Sequence, residues 1–310
     1  LPYGDRIWYI TRIGDSEMTK PTTLRQFFQK FPDDDTCLKH LFDVRFGQGH
    51  ECPKCQREAK WYPIKAERAF SCQWCGHHIH PMVGTLFEKS RTPLQLWFYA
   101  IFLFTTTRHG VSAKELQRQL GVTYKCAWRM GHQIREHMAE VDGDDPLGGV
   151  GINVEVDETL IGGSVSGKGQ GYKGNKTCVV GMLERDGEIV TQVVKGRDKV
   201  SMKGVILTHV LPGTTLQTDE FGGYKDIDKS GFRHVKVNHN RGEYAREDGA
   251  GVNGIESYWA QLKRGINGTH IHVSGKHLPK YAKEFEYRFN RRTRPEKMLS
   301  ELLTTFEPTS

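Results

Sequence analysis

A chain of 310 residues is long enough for about two domains, and 37% hydrophobic with 26% charged residues is the balance of a folded, water-facing protein rather than a disordered one. Its longest apolar stretch, Leu94 to Phe104, would make a helix only about 16 Å long, against the roughly 30 Å of a bilayer core, so it is expected to be a buried helix rather than a membrane span, and no membrane partner is expected. The net charge of +7 and a pI near 8.9 favour a polyanionic partner without naming it.

The chain starts at Leu1 and its first Met is Met18, so residues 1–17 are expected to lie outside the natural product, at the head of a helical segment spanning 1–48. No signal peptide is evident, and the expected compartment is the cytoplasm, where thiols stay reduced. Four of the seven cysteines then form two knuckles, Cys52-Pro-Lys-Cys55 and Cys72-Gln-Trp-Cys75. Two CxxC pairs at this spacing predict one tetrahedral Zn²⁺ in a ribbon spanning 49–85. Short strands are expected at Trp61 to Ile64 and Arg68 to Ser71, and Gly76 lets the chain turn out of the second knuckle. His77, His78 and His80 are the alternative ligands, while Cys37, Cys126 and Cys178 read as small buried residues. Such a zinc is structural, so the ribbon indicates a recognition or docking module and no chemistry.

Thr92-Pro93 predicts the N-cap and first residue of the buried helix that follows. Within 90–140, Ser112 and Glu115 suggest a capping box, Gly121 a helix end and Thr123 a second cap. This is the pattern of a helix-turn-helix. Leu116, Leu120, Val122, Ala127, Trp128 and Ile134 are expected inside. Lys125, Arg129, His132 and Arg135 remain for an outer face that meets a DNA groove; the alternative is a helical hairpin with a solvated basic face. Residues 141–150, polar and glycine-rich, read as a linker.

From residue 151 to 295 the predicted order is strand, glycine-rich loop, two strands across an Arg185-Asp-Gly187 hairpin, helix, two strands and two helices. This is the element order of an RNase H-like domain with a mixed sheet, so the fold class is a multidomain α+β and α/β chain. Strand alternation puts Glu155 and Asp157 opposite Val154 and Val156. Asp219 ends the strand Thr214 to Thr218, and Glu256 opens a helix whose apolar stripe is Ile255, Tyr258, Trp259, Leu262 and Ile266. Two strand carboxylates and one helix carboxylate suit hard divalent cations beside a phosphate. Lys263 follows on nearly the same helical face as Glu256, with Arg264 beside it. Glu158 and Glu220 should point away, Glu155 could support Asp157, Asp226 and Asp228 read as solvated, and Glu247 and Asp248 are loop alternatives to Glu256. Lys168, Lys173 and Lys176 dot the loop 162–176, which either grips DNA or is a plain insertion. The last helix, Gly275 to Asn290, is expected to close the core through Leu278, Tyr281, Ala282, Phe285 and Phe289. Arg288, Arg291 and Arg292 would be left for phosphate, His272 and His277 read as packing or surface residues, and 296–310 reads as a tail.

Together the ribbon, Val-Asp157-Glu-Thr with Ile-Gly-Gly, Thr-Asp219-Glu-Phe-Gly-Gly-Tyr, Asn253-Gly-Ile-Glu256-Ser-Tyr-Trp-Ala-Gln-Leu-Lys263-Arg-Gly and Lys276-His277-Leu-Pro-Lys-Tyr resemble the DDE transposases of bacterial insertion sequences, in the zinc-ribbon group related to Merlin elements. The resemblance covers roughly Thr23 to Arg294. It implies an RNase H-like core, Asp157, Asp219 and Glu256 as the acidic triad, two Mg²⁺ (or Mn²⁺) ions, and cleavage and joining of double-stranded element ends. Synapsis of two ends implies at least a dimer. The Tyr and Arg that precede the glutamate in the better-known signature are Gly249 and Val252 here, with His239 and Arg241 as candidate replacements. Two other readings share these residues: a nuclease of the same fold that cuts without joining, and a DNA-binding regulator that uses only the ribbon and the helix-turn-helix.

Overall fold

The computed structural model describes residues 20–64, 66–162, 176–219, 221–237 and 252–306. Helix α1 (Leu24–Lys30) starts in a reciprocal box between Thr23 and Gln26, and α2 (Asp34–Arg45) is capped by Asp33, whose carboxylate accepts from the Thr36 amide at 2.8 Å. The ribbon follows as three antiparallel strands, β1 (Trp61–Ile64), β2 (Ala69–Cys72) and β3 (His78–Ile79). It is seated on α2 by Phe42 stacked on Phe70, with centroids 4.1 Å apart.

Helix α3 (Leu94–Thr106) is the buried helix expected, with a different start. Pro93 occupies the cap and offers no side-chain acceptor; Asp34, from α2, accepts from the Gln95 amide at 2.9 Å instead. Helices α4 (Ala113–Leu120) and α5 (Tyr124–Asp142) form the predicted pair, capped by Ser112 and Thr123, with Gly121 at φ 65° in the left-handed turn between them. Only half of the Ser112 box is made: Glu115 turns forward to Arg118 and Gln119.

The linker is more ordered than its composition suggests. Leu147 is buried, and strand β4 (Leu147–Gly148) pairs in parallel with β8 (Val210–Leu211). The Gly148 amide donates to Glu184 at 3.0 Å.

Beyond it lies a five-stranded sheet ordered β10-β9-β5-β6-β7. Strands β5 (Asn153–Ile161), β6 (Thr177–Glu184) and β7 (Ile189–Val194) are antiparallel, and β9 (Thr215–Thr218) and β10 (Arg233–Lys236) add in parallel on the other side of β5. This is the predicted RNase H-like arrangement. Period-two alternation gives the sheet two apolar faces. Val154, Val156, Val180 and Met182 pack on α6 (Lys199–His209). Val179, Leu183 and Ile189 pack on α7 (Asn253–Arg264) and α8 (Leu278–Asn290). A π-helical stretch, Gly265–His270, follows α7.

The segment read as a tail contains α9 (Met298–Thr304), which returns to the N-terminal half. Met298, Leu299, Leu302 and Leu303 are buried in one core with α1 to α3, α5 and the ribbon. Among the described residues, no helix is long and apolar enough to cross a membrane.

Candidate active site

Strand β5 carries two carboxylates on the face that α7 covers. Its parallel register with β9 pairs Glu155 with Gln217 and Val156 with Thr218. Continued by one residue, that register sets Asp157 beside Asp219 on neighbouring strands, whose spacing is about 4.8 Å. Burial pushes the Asp157 carboxyl up to about 6, and the charges of Glu158 and Asp219 add to the effect. One Asp157 oxygen, Oδ2, accepts from the Trp259 indole N–H at 3.0 Å, and Asp219 Oδ1 accepts from the Phe221 amide at 2.9 Å.

Helix α7 is held on this face by its first turn. Glu155, buried on the Asp157 side as expected, accepts from the Ile255 amide at 3.0 Å and from Arg185 at 3.2 Å. A carboxylate at a helix N-terminus satisfies an orphan N–H and complements the helix dipole. Glu256 is the next residue, on the exposed side of α7. The four zinc-ribbon cysteines are the one group of metal-binding side chains gathered within 4.8 Å among the described residues, so the three acids are not drawn that close. Asp157 and Asp219 are neighbours on adjacent strands; Glu256 lies on α7 one helical turn before Trp259, whose ring reaches Asp157. Val252, in the slot of the missing arginine, is buried at the helix cap.

Glu158 faces the other way, as expected, and is engaged there by the Tyr224 hydroxyl at 2.5 Å and by Arg197. The Arg197 guanidinium lies 4.3 Å from the Phe221 ring. This explains the Phe-Gly-Gly-Tyr that follows Asp219: Phe221 and Tyr224 clasp the back of β5, and a Cβ on Gly223 would lie 2.4 Å from the Phe221 ring. Asp226, read as solvated, pairs with Lys199 and Lys229, which hold its carboxyl down to about 2.

Two features of the site escaped sequence reasoning. Gly181 is paired with Asp157 across β5 and β6, and a Cβ there would meet the Trp259 ring at 2.8 Å. A glycine inside Val-Val-Gly-Met-Leu is itself the signal for a close approach. Trp259 was legible only as part of an apolar stripe, because hydropathy says nothing of where an indole N–H points. Lys168, Lys173, Glu220, His239, Arg241, Glu247, Asp248 and Gly249 lie outside the described residues.

In the ribbon the sulfurs of Cys52 and Cys75 lie 3.6 Å apart, and those of Cys55 and Cys72 3.9 Å apart. A tetrahedron with Zn–S bonds near 2.3 Å has edges of about 3.8 Å, so the four thiols fit one zinc. His78 is turned aside to Glu67, at 2.9 Å, and His77 and His80 are not among the clustered ligands.

Residues 32–78 match the family model of a transposase zinc-ribbon domain, and residues 146–290 that of an ISXO2-like transposase domain. The chain is 31% identical over 106 residues to a transposase-like protein of Haemophilus influenzae, covering 33% of this chain and 81% of that one. This chain belongs to the ISXO2-like transposases. It is also 26% identical over 268 residues to a protein in the transposable element ISH50 of Halobacterium salinarum, covering 80% of this chain and 88% of its relative. The transposase thus joins a zinc ribbon to a DDE-type catalytic domain.

The basic residues predicted for DNA divide into two groups. Lys125 and Arg129 on α5, and Lys263 and Arg264 in the last turn of α7, are exposed. His132 and Arg135 are not: they are 4% and 2% exposed, because α5 is packed on α8 as well as on the N-terminal core. Arg135 bonds Glu284 at 2.6 Å and the Val111 carbonyl at 3.0 Å. Trp128, expected inside, is half-exposed and lies against His132. Arg288 and Arg291 are likewise committed to protein, Arg288 to Glu284 and Thr107 and Arg291 to Asp142 and Glu301; Arg292 is exposed.

Proposed function

We propose that Asp157, Asp219 and Glu256 are the catalytic triad of this transposase and hold two Mg²⁺ (or Mn²⁺) ions, with which it cuts element ends and joins them to target DNA. The observation that carries the reading is the parallel register that brings Asp157 level with Asp219 on the face covered by α7. Divalent ions held by these carboxylates would supply the activation of an attacking oxygen and the stabilisation of the leaving oxygen that an in-line displacement needs. The aspartates, fixed by the sheet, supply rigid oxygen ligands, and Glu256 supplies a third from the helix. Lys263 and Arg264 lie on the same helix toward its C-terminal end, where an approaching phosphate backbone can be held in line. Lys125 and Arg129 on α5 meet duplex DNA. Residues 49–140 read DNA and 151–295 cut and join it. Two ends in one reaction require at least a dimer, in the compartment that holds the DNA.

The test is an assay of the full chain with element-end duplex and Mg²⁺ or Mn²⁺. Joined products support the reading, whereas cut ends without joining would make the protein a nuclease. Asp157→Asn and Asp219→Asn should each lower cleavage and joining by about a hundredfold to a thousandfold, on the scale of losing a main electrostatic contributor. Strand transfer at the parental rate in either variant would overturn the assignment.

A further inference from the structure

We propose that Trp259 is a positioning residue for Asp157: its ring, seated in the notch at Gly181, aims the indole N–H at the carboxylate, orients that carboxylate for the metal and locks α7, with Glu256, onto β5. The inference rests on the triad reading above and concerns a residue outside that triad.

Three observations carry it. An indole N–H is a donor only, so its 3.0 Å bond to Oδ2 permits one polarity and, with the backbone hydrogen bond from Glu158, sets how the carboxylate is turned. The ring reaches that oxygen across a position with no side chain. A Cβ on Gly181 would lie 2.8 and 2.9 Å from the two outer atoms of the six-membered ring and 3.0 Å from Ile255 Cδ1. Gly181 is the cross-strand partner of Asp157, so the notch is at the level of the carboxylate it serves. Finally, α7 touches β5 through two polar anchors: the Ile255 amide on Glu155 and the Trp259 indole on Asp157. Glu256 lies between them in sequence. Rotating or sliding the helix breaks both bonds, so its carboxylate is held in register with the aspartates. A buried tryptophan needs some acceptor for its N–H; here that acceptor is the candidate ligand itself.

The experiment measures Mn²⁺ binding to the full chain by calorimetry, beside single-turnover cleavage across a range of Mn²⁺ concentrations. Trp259→Phe keeps most of the ring and removes the donor. It should bind Mn²⁺ about tenfold or more weakly, as for loss of other groups that orient a metal ligand. Its cleavage should recover as Mn²⁺ is raised, with zinc content and DNA affinity unchanged. Gly181→Ala fills the notch and leaves the indole intact, and it should weaken Mn²⁺ binding in the same direction. It also decides the matter if the phenylalanine variant fails to fold. Parental Mn²⁺ affinity in Trp259→Phe, or in Gly181→Ala should the former not fold, overturns the proposal. Asp157→Asn separates the two levels. If it too binds Mn²⁺ like the parent, the triad reading fails; if it alone loses the metal, only the role of Trp259 does.

Discussion

Asp157 and Asp219 could be singled out as candidates without a structure because strand alternation and a strand end are local patterns, and the register of β5 with β9 sets them side by side. The residues that support them were not legible. Glu155 could be placed on the right face, yet its bond to the Ile255 amide, a hundred positions away, is a product of tertiary packing. His132 shows the opposite failure. Its helical spacing from Lys125 and Arg129 suggested one basic face, but the ring is enclosed by Trp128, His277 and Tyr281. Neither of its nitrogens has a hydrogen-bond partner among the described residues. Burial, then the charges of Arg135, Lys280 and His277, holds its pKa down to about 4. Between that value and the ordinary 6.5, the unfolded chain carries a proton that the folded chain does not, so this ring removes stability as pH falls through the window. Glu286, raised by burial to about 7, and Asp157 titrate in the opposite sense; a comparison of variant with parent cancels them. His132→Leu should therefore gain on the parent by up to about 1.4 kcal/mol per pH unit from pH 6.5 down to about 4. Urea unfolding at several pH values measures it, and a pH-independent difference would show that the ring does not titrate this way.

Among the elements, α8 departs most from its sequence reading. An apolar stripe was visible, but the helix is buried on several sides, between β7 on one hand and α5 on the other. Its polar residues do much of the joining. Glu286 accepts from the Thr191 amide, and Asn290 accepts from the Ile189 amide, each at 2.8 Å, so side chains rather than another strand occupy the outer edge of β7. On the other side Glu284, fully buried, lies between Arg135 and Arg288. Burial opposes its charge, and the two guanidinium groups outweigh burial to keep the carboxyl below its usual range. A pattern of hydropathy cannot separate such a residue from a solvated one, because both are polar at the same helical spacing. Glu284→Gln leaves the buried Arg135 and the largely covered Arg288 short of a counter-charge and should cost about 3–5 kcal/mol of stability. Glu115→Gln, at the exposed pair with Arg118, should cost no more than about 1 kcal/mol. Equal losses on denaturant unfolding would contradict this account.

For the molecule as a whole, a zinc ribbon ahead of a mixed-sheet domain was legible, as was the chain order of that domain's strands and helices, because each knuckle, cap and strand is signalled within a few residues. The connection between halves was not. Residues 141–150 were read as a linker from their polar, glycine-rich composition and 296–310 as a tail, whereas Leu147 and the apolar side of α9 have their partners far along the chain. The ribbon shares one core with α2 and α3, so removing its zinc should reach beyond the ribbon. A strong chelator, or Cys52→Ser, should abolish zinc binding at the four-cysteine site and broaden and lower the thermal transition of the N-terminal half; an unchanged transition in metal-free protein would oppose that. The return of α9 also sets an order of events during synthesis. Leu302 and Leu303 complete a core begun by Phe27 and Leu41, and the whole catalytic domain is made between them. At roughly 5–20 residues per second, the 162 residues from the end of α5 at Asp142 to the end of α9 at Thr304 (304 − 142) keep the first half waiting about eight to thirty seconds for that helix. A nascent transposase therefore finishes its ribbon-bearing half after its catalytic sheet has been made, and an incomplete chain lacks part of the core that both ends build.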